Sequence, residues 1–345
     1  MALTRRHLLL CSTAVAAASR AAAIGSRSSA FGVAAFSYAA RLKQESHLRD
    51  PLAFLRFCRE RGAGGVQIGI PIRDQAYSTQ IRRYLDETGT WLEGQVRLPR
   101  DSAESERFEA EVAAAKAAGA EVVRAVLLSG RRYETFATAE DFRRFRESSR
   151  RSLELAAVIV ARQRIRLAVE NHKDFRADEQ LELLRRIGSE FVGITLDTGN
   201  NLALLEDPHS TVEKLAPLAF TVHLKDMAVD ECPEGFLLSE VPFGQGFLDL
   251  RRIVQILRKH RPQVRFNVEM ATRNPLVVPC LTDGYWKTLE ALPGSVLARA
   301  LAQVRAHPEG RPLPRIDALS PSELLHTEDV NVRACLDYAT KRLTN

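Results

Sequence analysis

The feature that most constrains this chain is an alternation of short apolar runs with helix-like segments. Runs rich in Val, Ile, Leu and Phe occupy residues 31–37, 65–70, 91–98, 121–128, 165–170, 192–197, 220–225 and 264–270. Each leads into a polar loop and then a helix-like stretch, and residues 51–61, 102–118 and 142–161 carry apolar side chains at helical spacing. Asp249 is placed as an N-cap for a helix over 250–260, and Gly62, Gly119 and Gly188 as C-terminal stops. Strands that alternate with helices pair in parallel, and eight such units predict a closed (β/α)8 TIM barrel of the α/β class. An open doubly wound sheet would want a glycine fingerprint after its first strand, and Phe31-Gly32-Val33-Ala34-Ala35-Phe36-Ser37 has none.

The barrel domain is expected over residues 31–306. Residues 307–314 carry Pro and Gly as a linker, and 322–343 read as one or two helices, so 307–345 is a C-terminal helical extension rather than a second domain. At the other end, Arg5 and Arg6 precede leucines, an Ala/Val-rich run follows, and small residues close the segment at Ala21-Ala22-Ala23. That order of basic start, apolar stretch and small residues predicts a signal peptide over residues 1–23, of the twin-arginine type, and hence an exported, periplasmic protein. The formal charge of +6 falls to +3 without Arg5, Arg6 and Arg20, too little to indicate a nucleic-acid partner. No later stretch is long and apolar enough to span a membrane. The cysteines lack C-x-x-C spacing, which argues against zinc-ribbon and redox functions.

Strands five to eight carry the chemistry. Alternate residues of a barrel strand face the helices or the interior. Ile165, Leu167 and Val169 form the helix-facing set of the fifth strand, which leaves Ala168, Glu170 and His172 inward. The same parity turns Asp197 inward on the sixth, His223 and Lys225 on the seventh, and Glu269 on the eighth. Four strands thus aim Glu170, Asp197, His223 and Glu269 at the C-terminal mouth, where active sites of this fold lie. Three carboxylates crowded there repel one another unless a cation neutralises them. Pairing with inward arginines (Arg97, Arg124, Arg166 and Arg265) is the competing explanation. Three oxygen donors and one imidazole suit a single divalent metal ion, Mn²⁺ first, with Mg²⁺, Co²⁺ or Zn²⁺ as alternatives.

Ala168-Val169-Glu170-Asn171-His172, Leu196-Asp197-Thr198-Gly199-Asn200 and Val222-His223-Leu224-Lys225-Asp226 resemble motifs of the xylose isomerase-like TIM-barrel superfamily. The resemblance runs from about Phe31 to Arg273, and Pro242–Asp249 is similar to the superfamily's Gly-x-Gly-x-x-Asp loop before a helix. Members similar to D-tagatose 3-epimerase bind one Mn²⁺ on such a set, and their two glutamates exchange a proton beside a ketone through an enediolate. The resemblance therefore implies Glu170 and Glu269 as the catalytic acid/base pair, with Asp197 and His223 completing the metal site. His172 and Lys225 lie one inward step beyond Glu170 and His223, at the mouth itself, and are expected to contact substrate, with Arg273, soon after Glu269, and Asn200 as further contacts. Asn200 stands where these epimerases often carry histidine, and an amide hydrogen-bonds a hydroxyl but moves no proton near neutral pH.

The function expected is a metal-dependent isomerase or epimerase acting on a small-molecule sugar or keto-sugar. The alternatives are a metal-dependent lyase or dehydratase on keto-sugars or 3-keto-glycosides, and a non-catalytic sugar-binding barrel. A homo-oligomer is compatible with any of them. Endonuclease IV chemistry wants three zinc ions, many histidines and a Cys-His pair where Gly199-Asn200 stand here, and an export signal is wrong for DNA.

Overall fold

The computed structural model describes residues 30–289, 291–307 and 312–344, so the export-signal reading of residues 1–23 lies outside the described residues. Eight parallel strands close into a barrel: β1 (Phe31–Ala34), β2 (Gly65–Gly69), β3 (Trp91–Gln95), β4 (Val122–Ala125), β5 (Arg166–Glu170), β6 (Val192–Asp197), β7 (Ala219–Leu224) and, as the eighth, β10 (Phe266–Val268). Each strand falls inside or within a residue of an expected apolar run. Gly62, Gly119 and Gly188 do end helices with φ of +90°, +99° and +61°, which glycine adopts at little cost.

Parity decides what is core. Leu167, Val169, Ile194, Leu196, Val222, Leu224, Phe266 and Val268 are fully buried against the surrounding helices. One irregularity matters for the site. Ile194 pairs with Ala219, but Thr195 pairs with Thr221, so Phe220 is passed over and Asp197 comes to stand opposite His223. Without that bulge Asp197 would oppose an outward-facing residue. Gly193 makes room for it, since a Cβ there would sit 2.7 Å from the Phe220 ring and 2.6 Å from the Leu218 carbonyl oxygen.

A hairpin that the sequence reading passed over follows β7 directly. It is formed by β8 (Asp226–Cys232) and β9 (Gly235–Val241), and β11 (Leu276–Val278) completes a three-stranded antiparallel sheet. The Gly-x-Gly loop then returns under this sheet. Asp226 accepts hydrogen bonds from the backbone N–H groups of Met227, Gly244, Gly246 and Leu248. A Cβ on Gly246 would lie 2.3 Å from Asp226 Oδ1. Beyond the loop, Asp249 caps Leu250–His260 as expected, accepting from Arg252 N at 3.0 Å.

The C-terminal extension is a single long helix, Pro321–Arg342, begun by a Ser320/Glu323 capping box. It packs on β1 and β10, the strands that close the barrel. Val332, Cys335, Leu336 and Ala339 join the main core, and Glu328 accepts from the N–H groups of Ala40 and Arg41. The extension is thus a helix packed on the barrel and not a second domain, as expected.

Candidate metal centre

Glu170 ends β5, Asp197 ends β6, His223 is next to last in β7, and Glu269 immediately follows β10. One ligand atom from each lies within 4.8 Å of the others, and all four residues are buried. Nδ1 of His223 is 3.3 Å from Glu269 Oε1, 3.4 Å from Glu170 Oε2 and 3.9 Å from Asp197 Oδ2. Although so close to these oxygens, Nδ1 makes no directed hydrogen bond, and neither does Asp197 Oδ2. Lys225 Nζ stands 2.9 Å from that oxygen as an ion-pair contact. Buried polar atoms are nearly always hydrogen-bonded, so a buried Nδ1 without a directed partner, ringed by three carboxylates, marks the place of an absent one. A divalent cation fits it, because the donors are three carboxylates and one imidazole with no thiol among them.

The imidazole is oriented from below. His223 Nε2 lies 2.8 Å from Gln67 Oε1, and Gln67 Nε2 donates to Glu93 Oε2 at 3.0 Å. Glu93, buried inside the barrel, also accepts from Thr221 at 2.7 Å and Asn267 at 3.0 Å. Because the Gln67 amide nitrogen is committed to a carboxylate, its oxygen must accept, which assigns a proton to His223 Nε2 and turns Nδ1 toward the three acids. Gln67→Ala should therefore weaken metal binding about 10- to 100-fold while the barrel stays folded. Titration of the variant with Mn²⁺ checks this; wild-type affinity would mean that Gln67 does not set the tautomer.

Burial opposes ionisation of every acid in the cluster, and neighbouring cations decide the outcome. At Glu170, burial is outweighed by Arg124 and His223, and the carboxyl is held below its ordinary range. At Glu269, His223 and Lys225 win more decisively, and it lies well below. Asp197 goes the other way: burial prevails over Lys225, and its carboxyl is pushed up to about 6. Burial would lower His223, but Glu269 and Glu170 raise it. Of the four arginines that might have neutralised these acids, only Arg124 reaches one, donating from Nε to Glu170 Oε2 at 2.6 Å. Arg166 and Arg265 sit at the opposite end of the barrel, 3.7 and 3.8 Å from Glu121, beside a separate cavity of about 510 Å³ that touches none of the four ligands. Arg97 is exposed.

Above the cluster opens a cavity of about 530 Å³ bordered by Glu170 and Glu269. His172, Lys225 and Arg273 border it too. Asn200 is buried behind them, donating to Glu170 Oε1 at 3.0 Å and accepting from Lys225 at 3.2 Å. Lys225 also reaches Glu269 Oε2 at 2.8 Å. Besides Gln67 and Glu93 below the cluster, three residues near its mouth went unassigned in sequence. Arg124 was seen only as an inward arginine. Lys173 lies past the end of β5, where strand parity no longer applies. Glu240 belongs to the hairpin, and Arg273 holds it at 2.5 and 3.1 Å. A turn at Pro233-Glu234-Gly235 between two apolar runs was the signal that could have exposed the hairpin.

Comparison with known proteins agrees with the barrel fold. Among curated proteins, 3-oxo-isoapionate decarboxylase of Pectobacterium atrosepticum is 33% identical over 107 residues, 30% of this chain and 39% of that relative. The match thus spans well under half of the relative's length. Among solved structures, a D-tagatose 3-epimerase-like protein superposes with a TM-score of 0.52 at 16% identity, covering 80% of this chain and 98% of that one. An L-ribulose 3-epimerase gives 0.51 at 16% identity, over 82% and 99%. At such identities the structures speak to the fold. The profile of the xylose isomerase-like TIM barrel matches residues 55–291, most of the chain, and the chain belongs to that family.

Proposed function

We propose that the protein is a divalent-metal-dependent enzyme that moves a proton on the carbon beside a carbonyl of a keto-sugar, returning an epimer or isomer. The observation that carries this reading is the placement of two carboxylates, Glu170 and Glu269, on either side of His223 at the floor of an open cavity. A bound divalent ion would polarise a carbonyl and its neighbouring hydroxyl as a Lewis acid. Glu170, Asp197, His223 and Glu269 would hold it. Glu269 removes the proton from one face and Glu170 returns one to the other, as acid/base groups approaching from different strands. Lys225, beside Glu269, offers an ammonium to the oxygen on which negative charge develops. His172 and Arg273 bind the rest of the sugar from the wall.

A second reading, a lyase on the same scaffold, is favoured by the local likeness to a decarboxylase. Loss of CO₂ from a 3-oxo acid breaks a C–C bond and leaves its electrons in an enolate, which the same residues would stabilise and protonate. The experiment is proton exchange in D₂O. With Mn²⁺, the protein should place deuterium beside the carbonyl of a ketose and release a diastereomer or aldose, and EDTA should abolish it. Metal-independent exchange refutes the proposal, and release of CO₂, water or an aglycone selects the lyase. Processing at the twin-arginine signal, with periplasmic location, is proposed alongside from residues 1–23; secretion that survives Arg5→Lys with Arg6→Lys excludes that route.

A further inference from the structure

The cations around the cavity divide into those with carboxylate partners and one without. Arg124 is paired with Glu170, Arg131 with Glu134, Arg273 with Glu240, and Lys225 with Asp197 and Glu269. Lys173 borders the same cavity at 4% exposure, and no carboxylate of the described residues lies within 4.0 Å of its ammonium. Its recorded partner is the amide oxygen of Asn200 at 2.5 Å. That oxygen is shared with Lys225 at 3.2 Å. An ammonium has three donors, so Lys173 keeps donating capacity beyond this contact. Burial, aided by Lys225, lowers the Lys173 ammonium to about 8, as expected of a charge without a close counter-ion.

Metal loading sharpens the imbalance. Arg124, Arg131, Lys173, Lys225 and Arg273 supply five positive charges, and a divalent ion adds two. Against them stand Glu134, Glu170, Asp197, Glu240 and Glu269, with Glu93 below the cluster and linked to His223 through Gln67. An enediolate formed during proton transfer lies over the metal cluster, so it leaves Lys173 on the wall without a counter-ion, and an anionic substituent brought by the substrate would supply one.

We infer that Lys173 binds a carboxylate of the substrate, and that the substrate class is keto-sugar acids rather than neutral ketoses. This rests on the enolising function proposed above and names its substrate. Lys173 is a specificity-determining residue: its ammonium meets the carboxylate, Asn200 aims it, and the carbonyl with its adjacent hydroxyl lies over the four-residue cluster.

The test compares matched pairs on Mn²⁺-loaded protein, with D₂O exchange as the readout. D-fructose is set against D-fructuronate, D-tagatose against D-tagaturonate, and L-sorbose against 5-keto-D-gluconate; within each pair only a distal hydroxymethyl becomes a carboxylate. The 6-phosphates of the neutral sugars form a third arm. Wild type should exchange at least one acid with kcat/KM about tenfold or more above its neutral partner, the scale of one buried charged hydrogen bond. Lys173→Met should bring that ratio close to one, and Lys173→Arg should keep much of it. Exchange with equal kcat/KM for acid and neutral sugar overturns the inference and leaves the enolising function standing. So does an unchanged ratio in Lys173→Met. Preference for a 6-phosphate overturns the carboxylate in favour of a phosphoryl group. Absence of exchange with every compound overturns the enolising function itself and this inference with it. Should Lys173→Met fail to fold, the wild-type ratio and Lys173→Arg still decide.

Discussion

Glu269→Gln is expected to keep its metal and lose turnover by about a hundred- to ten-thousandfold, the range supplied by a positioned general base. The amide retains an oxygen for a metal while removing the group that accepts the proton. In the structure Glu269 is the acid best suited to that role. Its carboxyl is held well below the ordinary range by His223 and Lys225, so it is ionised. It also borders the cavity, whereas Asp197 lies behind it. Glu170 is more encumbered, tied to Arg124 at 2.6 Å and to Asn200 at 3.0 Å. The check is parallel: metal content by atomic emission, and D₂O exchange by NMR. Loss of exchange with metal retained supports the base role, and wild-type turnover by the variant removes Glu269 from the chemistry.

His223→Ala should have the opposite signature, losing metal and activity together. The imidazole supplies the only nitrogen donor of the cluster, and Gln67 turns its Nδ1 toward the acids. Without it three buried carboxylates remain, partly answered by Arg124 and Lys225. Metal removal adds a stability readout. A ligand that binds only the folded state stabilises it by about 2.7 kcal/mol at one hundred times its Kd. Wild-type protein should therefore melt higher with Mn²⁺ than with EDTA, and His223→Ala should melt alike in both. A metal-dependent rise in the variant would show that the ion binds elsewhere.

The reason so much of this site was legible in sequence is geometric. A barrel strand has a period of two, so an apolar, helix-facing set at Leu167/Val169 or Val222/Leu224 fixes where the residues between must point. That logic carried Glu170, Asp197, His223 and Glu269, because all four lie on strands or one residue past them. It even survived the bulge at Phe220, since Asp197 and His223 were each assigned from their own strand and not from a shared register. It failed where the backbone leaves the strand. Lys173 is in a loop, and Glu240 is on a hairpin inserted between β7 and the next helix. Gln67 and Glu93 were lost for another reason: their role depends on hydrogen bonds between strands far apart in sequence, which no local pattern encodes. The C-terminal helix was legible from its Pro/Gly-rich approach as an extension that packs on the barrel, and its buried face lies on β1 and β10.

The central claim is that four residues from successive strands hold one metal ion at the barrel mouth. Anomalous diffraction from crystals grown with Mn²⁺ tests it most directly. The account predicts one strong anomalous peak at the floor of the cavity, about 2.0–2.5 Å from a carboxylate oxygen of Glu170, Asp197 and Glu269 and from His223 Nδ1. A peak that engages His223 through Nε2, leaves Asp197 or Glu269 outside its coordination, or lies at the opposite end of the barrel would contradict it.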